Sequence, residues 1–298
     1  MDPVISIGLP VYNDEEFISE TVNSILSQSF KYFELIIVDN HSEDGTYEIL
    51  KKFESDKRVK VYRNSENLGM YVNFNLAFKY SKSNYFMWAG SHDILEENYL
   101  ETIHEKIKEY NQDFSLIFTS VGHINEDGNT TTDHKKVGIE RKDVNIKYYL
   151  DLPWKIIGSG DMVYGVFNKK YLSKTGIFSN VLWPDVLLIY EIFQYGKIIR
   201  IDQPLRKRRV FKEKPFSDWK EKYFFRTNRL RSRAKKNITF EMYIPNLIIF
   251  FKIIYHLGIK NNFLNVFRFT YSVYFASVFL WKHRIAFLLD LKYFLSKR

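Results

Sequence analysis

Not one of the 298 residues is cysteine. That absence removes disulfides, thiolate zinc sites and cysteine nucleophiles from consideration, and it suits a reducing, cytoplasmic setting. No secretory leader is expected: Met1-Asp2-Pro3 runs straight into a β-branched segment, without the basic and apolar regions of a signal. Long hydrophobic runs are few. The longest uncharged stretch in the C-terminal part, Phe269 to Trp281, has thirteen residues, where a spanning helix needs about twenty. Acid is scarce in the same part. Residues 216–298 hold 16 Lys and Arg against 4 Asp and Glu, a formal +12, whereas residues 1–215 come to −3. The overall +9 therefore belongs to the tail, which also carries 21 of the 52 aromatic residues.

The front part is organised around Leu35-Ile36-Ile37-Val38-Asp39. Four apolar residues in a row predict a strand buried on both faces, as in a parallel sheet covered by helices. Asp39 then stands at a strand's carboxyl edge, where ligands bind in open α/β sheets. A helix cap is the alternative for Asp39, although Ser42 and Asp44 are better placed for that task. The rest of the front part alternates between the two periods. Val4 to Tyr12 predicts a first strand, and Phe17 to Leu26 a helix with Asp14 as its N-cap. Strands follow at Val59–Tyr62, Tyr85–Trp88 and Ser115–Thr119, with helices near 46–53, Met70–Tyr80 and Glu97–Tyr110. Strands alternating with helices imply parallel pairing and right-handed crossovers. The fold class is thus α/β. Beyond it, residues 121–143 predict a hairpin or flap, Met162–Phe167 and Lys197–Ile201 two more strands, and Trp183-Pro184-Asp185 opens a helix through Tyr195.

Gly8-Leu9-Pro10-Val11-Tyr12-Asn13, Val38-Asp39 with Ser42 and Asp44-Gly45-Thr46, Asn67 with Gly69, Asn73 and Asn75, Asp93, and Asp185 occur in that order. The set, over roughly residues 3–211, resembles the glycosyltransferase family 2 proteins with a GT-A fold. The resemblance implies a mostly parallel Rossmann-like sheet and an inverting transfer from a nucleotide diphosphate sugar, with a divalent metal, Mg²⁺ or Mn²⁺. By resemblance, Pro10 and Tyr12 form the wall under the nucleobase, and Asp39 accepts a hydrogen bond from the base, which for uracil is its N3–H. Asn67, Gly69, Asn73, His92 and Arg209 belong to the donor site, Asp93 is the metal ligand, and Asp185 is the catalytic base. Two positions depart from the pattern. His92 stands where an acid commonly precedes Asp93, and Phe211 follows Arg209 where a histidine is often found. These departures leave the metal open, with Arg206, Arg208 and Arg209 as other sources of positive charge for the diphosphate. Tyr12 as core edge, Asp93 and Asp185 as helix caps, His92 as a softer metal ligand, a phosphate contact or merely a polar loop residue, and the arginines as an exposed basic strand are the alternatives.

The sequence divides into a catalytic domain, 1–215, and a helical, basic and aromatic region, 216–298. The polybasic run Arg226 to Lys236, followed by Lys and Arg alternating with Phe, Tyr, Trp and Leu, suits a helix lying on an anionic membrane surface. A helical bundle packed on the catalytic domain or forming a dimer is the alternative. The expected partners are a nucleotide-sugar donor, a glycan or lipid-linked acceptor and the inner face of the cell membrane, with no nucleic acid. A catalytically silent sugar-nucleotide binder and a nucleic-acid binder using the basic tail are competing readings.

Overall fold

The structure is a computed structural model that describes residues 2–131, 160–211 except 180 and 182, and 251, 254, 255, 266–282, 284, 287 and 288. The polybasic run Arg226 to Lys236, most of Met242 to Ile259 and residues 132–159 lie outside the described residues. The chain divides into two compact units. One comprises Met1–Asp143, Gly158–Phe178 and Leu188–Lys212; the other comprises Val144–Ile157, Ser179–Leu187 and Glu213–Arg298.

The first unit contains one mixed sheet, with strand order β3-β2-β1-β4-β8-β6-β9-β5 and β7 added on β6. Its centre is parallel. β1 (Ile5–Val11) lies between β2 (Phe33–Asp39) and β4 (Tyr85–Trp88), and β3 (Val59–Arg63) completes that half. β8 (Val166–Asn168) runs antiparallel to both β4 and β6 (Leu116–Ile124), and β9 (Ile198–Arg209) is parallel to β6. The carboxyl ends of β1, β2, β4, β6 and β9 therefore share one sheet edge.

Every residue of β1 and β2 is buried, as the continuous apolar run predicts. The alternation resolves the two faces. Leu35 and Ile37 join the large core cluster with Ile18, Val22 and Ile25 of helix α1 (Ile18–Leu26). Ile36 and Val38 face the other way, against Ala77, in α3 (Met70–Tyr80), which follows α2 (Thr46–Lys51) in the chain. Each such side chain contributes about 1.5–3 kcal/mol by leaving water. Gly8 is what lets α3 sit this close: a Cβ there would lie 2.7 Å from the Phe86 ring and 2.9 Å from the Ala77 methyl. Pro10 is tolerated within β1 because the β4 ladder has already ended, with Gly8 opposite Trp88.

Several expectations need correction. Met162–Phe167 is not one strand: a 3-10 turn occupies Gly160–Tyr164 and β8 begins at Val166. The strand expected at Lys197–Ile201 continues through the basic run to Arg209. Asp14 makes no side-chain cap on α1; its backbone carbonyl accepts from the Phe17 and Ile18 amides, which leaves the carboxylate for other partners. Residues 121–131 do form a hairpin, with β6 returning through Asn125–Asn129 to β7 (Thr130–Thr131). A two-residue strand, β5 (Ile94–Leu95), pairs with β9 and precedes α4 (Tyr99–Glu109). α5 (Lys169–Leu172) follows β8, and α6 (Pro184–Ile192) begins in the second unit and ends in the first.

In the second unit, α7 (Val266–Lys282) buries Ser272, Ala276 and Phe279, spaced as one helical face, and exposes Trp281. Among the described residues no helix is long and apolar enough to cross a membrane.

Candidate active site

Two loops at the carboxyl edge are laced together by backbone amides. Asn13 N–H donates to Ser42 Oγ at 3.0 Å, Asp14 N–H to Thr46 Oγ1 at 2.8 Å, and Glu43 N–H to Asn13 Oδ1 at 2.9 Å. Ser42 and Thr46 thus fix the turn after β1 as well as their own. Asn13 adopts a left-handed conformation, φ 52°, which asparagine tolerates better than most residues. The turn leaves Tyr12, directly after β1, 38% exposed at the edge, while Pro10 is buried within the strand. Glu15 accepts from the Gly45 amide at 2.6 Å. Asp44 is tied in as well. Burial alone would raise its pKa, but hydrogen bonds from Thr46 and from the Glu15 amide outweigh it and hold the carboxyl below its ordinary value.

Asp39 is fully buried at the end of β2. Its carboxylate accepts from the Ser42 amide at 3.2 and 3.3 Å and from the Ser42 hydroxyl, and Arg63 Nε lies 3.3 Å away. Charge and lone pairs are thereby compensated from one side, and the acid is rigidly aimed.

The asparagines predicted for the donor site form a connected set with two the sequence did not single out, Asn40 and Asn64. Asn40 donates to Asn67 Oδ1 at 2.8 Å and accepts from Asn64 at 2.9 Å and from the Leu68 amide at 3.0 Å. Asn64 also donates to Asn73 at 3.0 Å, and Asn73 donates to the Val38 carbonyl at 2.8 Å. Asn67 caps the turn into Gly69, whose φ of 86° favours glycine. Together they bind the loop 64–69 and the start of α3 to the ends of β1 and β2. Asn75 stands apart, exchanging hydrogen bonds with the Phe178 backbone at 2.9 and 3.1 Å.

The β4–β5 loop brings the second acid. Asp93 is buried, and its Oδ2 accepts from Arg206 Nη1 at 2.5 Å. Arg206 also donates to Asp161, and Asp161 meets Arg208 at 3.3 Å. Burial would push the Arg206 guanidinium down, but Asp93 and then Asp161 outweigh that penalty and hold it raised. His92 is more open, 36% exposed, with Nδ1 3.8 Å from Asp14 Oδ1, while Ser91 Oγ donates to the other Asp14 oxygen. Phe211 packs edge-on against both His92 and Phe17, at 5.0 and 5.5 Å. Arg209 is buried. It donates to Glu20 and to the His92, Asn125 and Glu126 carbonyls over the Phe17 ring, a strap between loops.

Tyr12, Asp39, the asparagine set, His92, Asp93 and Arg209 are therefore brought to one sheet edge. Asp185 lies in the first turn of α6, half-buried, in the second unit. Asp161, Glu20, Arg63 and Asp14 were missed as parts of the arrangement. The sequence singles out Asp14 only as a cap for the first helix, and Glu20, Arg63 and Asp161 carry no local signal of this role. An open cavity of about 590 Å³ lined by Asn84, Asn168 and Lys169 is at the opposite edge of the sheet, away from these groups.

A parallel βαβ core with acids following the two strands that flank β1, continued through the antiparallel β8, has the architecture of a GT-A glycosyltransferase. The chain belongs to glycosyl transferase family 2, whose model matches residues 6–174. It is similar to the glycosyltransferase GlyA of Streptococcus pneumoniae, 34% identical over 39% of this chain and 17% of that one. TarP of Staphylococcus aureus, a poly(ribitol-phosphate) beta-N-acetylglucosaminyltransferase, is 36% identical over 38% of this chain and 35% of its own. The chain thus spans well under half of these relatives' length. The solved structure of residues 1–349 of S. aureus TarS with UDP-GlcNAc shares the fold, with a TM-score of 0.57 at 18% identity over 87% of this chain and 73% of that one.

The metal implied by the family requires a suitable donor set. Among the described residues no three His, Asp or Glu side chains gather as one. Asp93 is paired with Arg206, its neighbour is His92 where an acid is common, and Asp161 is held by the same guanidinium. These residues do not fit a divalent cation.

Proposed function

We propose that the protein is an inverting sugar transferase that takes a sugar from a UDP-sugar and passes it to a polysaccharide, lipopolysaccharide or lipid-linked acceptor at the inner face of the cell membrane. The observation that carries the donor part is convergence: β1, β2 and the β4–β5 loop bring Tyr12, Asp39 and Asp93 to one sheet edge. An exposed aromatic face beside a rigid carboxylate suits a nucleobase, and ligands of open α/β sheets bind at that edge. The UDP-GlcNAc bound by TarS and the polymer named for TarP support a UDP-sugar donor and an envelope-glycan acceptor. Asp185 is the general base that takes the acceptor's proton. The exposure of Phe251, Tyr255, Trp281 and Leu288 supports membrane contact by the tail.

The test is release of UDP from a panel of UDP-sugars with and without glycan acceptors, with the product's anomeric configuration read by NMR. Acceptor-dependent release with inversion is expected. Binding of the sugar nucleotide without turnover would instead identify a silent binding protein.

A further inference from the structure

Asp93, Arg206, Asp161 and Arg208 form a chain of alternating charge that leads outward from the sheet. Asp93 and Arg206 have side chains only 6% and 3% exposed, Asp161 is 11% exposed, and Arg208 is 52% exposed. Because β9 is parallel to β6 and thereby to β4, its carboxyl end with Arg206 to Arg209 stands on the same edge as Tyr12 and Asp39. A divalent ion on Asp93 would sit against a buried guanidinium that cannot withdraw, since Arg206 is packed over the Tyr164 ring at 4.6 Å and hydrogen-bonded at both terminal nitrogens. Like charges that close, screened by little water, repel strongly. The other oxygen of Asp93 faces the Arg209 amide at 3.4 Å. His92 adds no carboxylate to offset a dication.

Resting on the nucleotide-sugar reading above, we propose that this transferase binds its donor diphosphate without a divalent cation, and that Arg208 is the protein group that meets the phosphate charge. Arg206 takes the place of the ion as the permanent partner of Asp93, keeping the β4–β5 loop closed on β9. Arg208, held at 3.3 Å by Asp161 and open to solvent, presents a planar fork of donors suited to phosphate oxygens.

The experiment is calorimetric titration of the full chain with UDP, GDP and CDP, in EDTA and in Mn²⁺, with UMP and Arg208→Ala as controls. The tightest-binding diphosphate should show the same affinity within about threefold in the two buffers. Arg208→Ala should weaken that diphosphate about tenfold in EDTA and change the nucleoside monophosphate, which lacks the β-phosphate, by less than twofold. Diphosphate binding that vanishes in EDTA and returns with Mn²⁺ would overturn the proposal. An unchanged diphosphate affinity in Arg208→Ala would overturn the assignment to that side chain. No binding of any diphosphate in either buffer would overturn the nucleotide-sugar reading itself, and this inference with it.

Discussion

Arg206 and Asp93, 113 residues apart in sequence, meet at 2.5 Å from Nη1 to Oδ2 inside the first unit. Neither charge is solvated, so each depends on the other and on Asp161. Removing one partner from a buried pair leaves the remaining charge uncompensated and costs about 3–5 kcal/mol. Here one guanidinium serves two acids.

Arg206→Met is therefore expected to destabilise the protein by at least that amount, and Arg206→Lys by less, because a lysine keeps the charge but cannot fork to Asp93 and Asp161 together. Denaturant unfolding followed by tryptophan fluorescence measures both. A loss under about 1 kcal/mol in Arg206→Met would show the pair to be weakly coupled to folding.

How far the sequence foretold this arrangement depends on where each residue finds its partner. The strand ending at Asp39 and the helix Met70–Tyr80 were legible, because apolar periodicity and turn residues act within a few positions. Arg206-Lys207-Arg208-Arg209 read equally well as an exposed basic strand. The burial of Arg206 and Arg209 within it follows from acids at positions 20, 93 and 161, which no local pattern connects to it. Met162–Phe167 misled for another reason. The apolar run looks like a strand, but Gly165 packs where a Cβ would lie 2.6 Å from the Ile117 carbonyl, and the chain turns just before it. The motif asparagines were found by resemblance, yet their partners Asn40 and Asn64 carried no signal of their own.

Acid should unfold the protein partly through two carboxyls. The Asp56 pKa is lowered, chiefly by the Arg58 side-chain hydrogen bond working against burial, and Asp44 is lowered by its hydrogen bonds. A folded pKa below the unfolded value of 3.8 stabilises the protein above that value, and the contribution is lost as pH falls through the folded pKa. The melting temperature should thus be flat in this respect above about pH 5 and drop below about pH 4. Asp56→Asn should shrink the drop between pH 5 and pH 3. A drop of the same size in wild type and variant would exclude Asp56 as a contributor.

Asp39→Ala tests the nucleobase contact. Deleting the carboxylate removes an acceptor aimed by Ser42 and Arg63, so UDP affinity should fall about tenfold or more and the preference for UDP over CDP should narrow. Ser42→Ala loosens the same carboxylate without removing it and should have a smaller effect in the same direction. Unchanged affinity and unchanged base preference in Asp39→Ala would reject the role.

Peripheral attachment is testable on the exposed aromatic residues of the second unit. Phe251, Tyr255 and Trp281 are each more than half exposed, and their joint replacement by serine is compared with the wild type after circular dichroism has shown that the variant keeps its fold. Co-sedimentation with anionic vesicles should fall severalfold, and the wild type should lose binding as salt rises. Equal sedimentation of both proteins would mean that these side chains do not anchor the chain.

Asp185→Asn tests the proposed base. A single displacement that inverts the anomeric carbon needs a group to take the proton from the acceptor hydroxyl, opposite the departing diphosphate, and a carboxylate does this without a covalent intermediate. Asp185 lies in the first turn of α6, directly after Pro184, where the helix dipole favours the ionised form. Asparagine keeps the shape and removes the basicity. Turnover should fall about a hundredfold or more while UDP-sugar affinity stays within twofold, since the loss falls on the transition state alone. A variant that loses donor binding and melts early would point to a structural cap on α6. Near-wild-type turnover would reject Asp185 as the base.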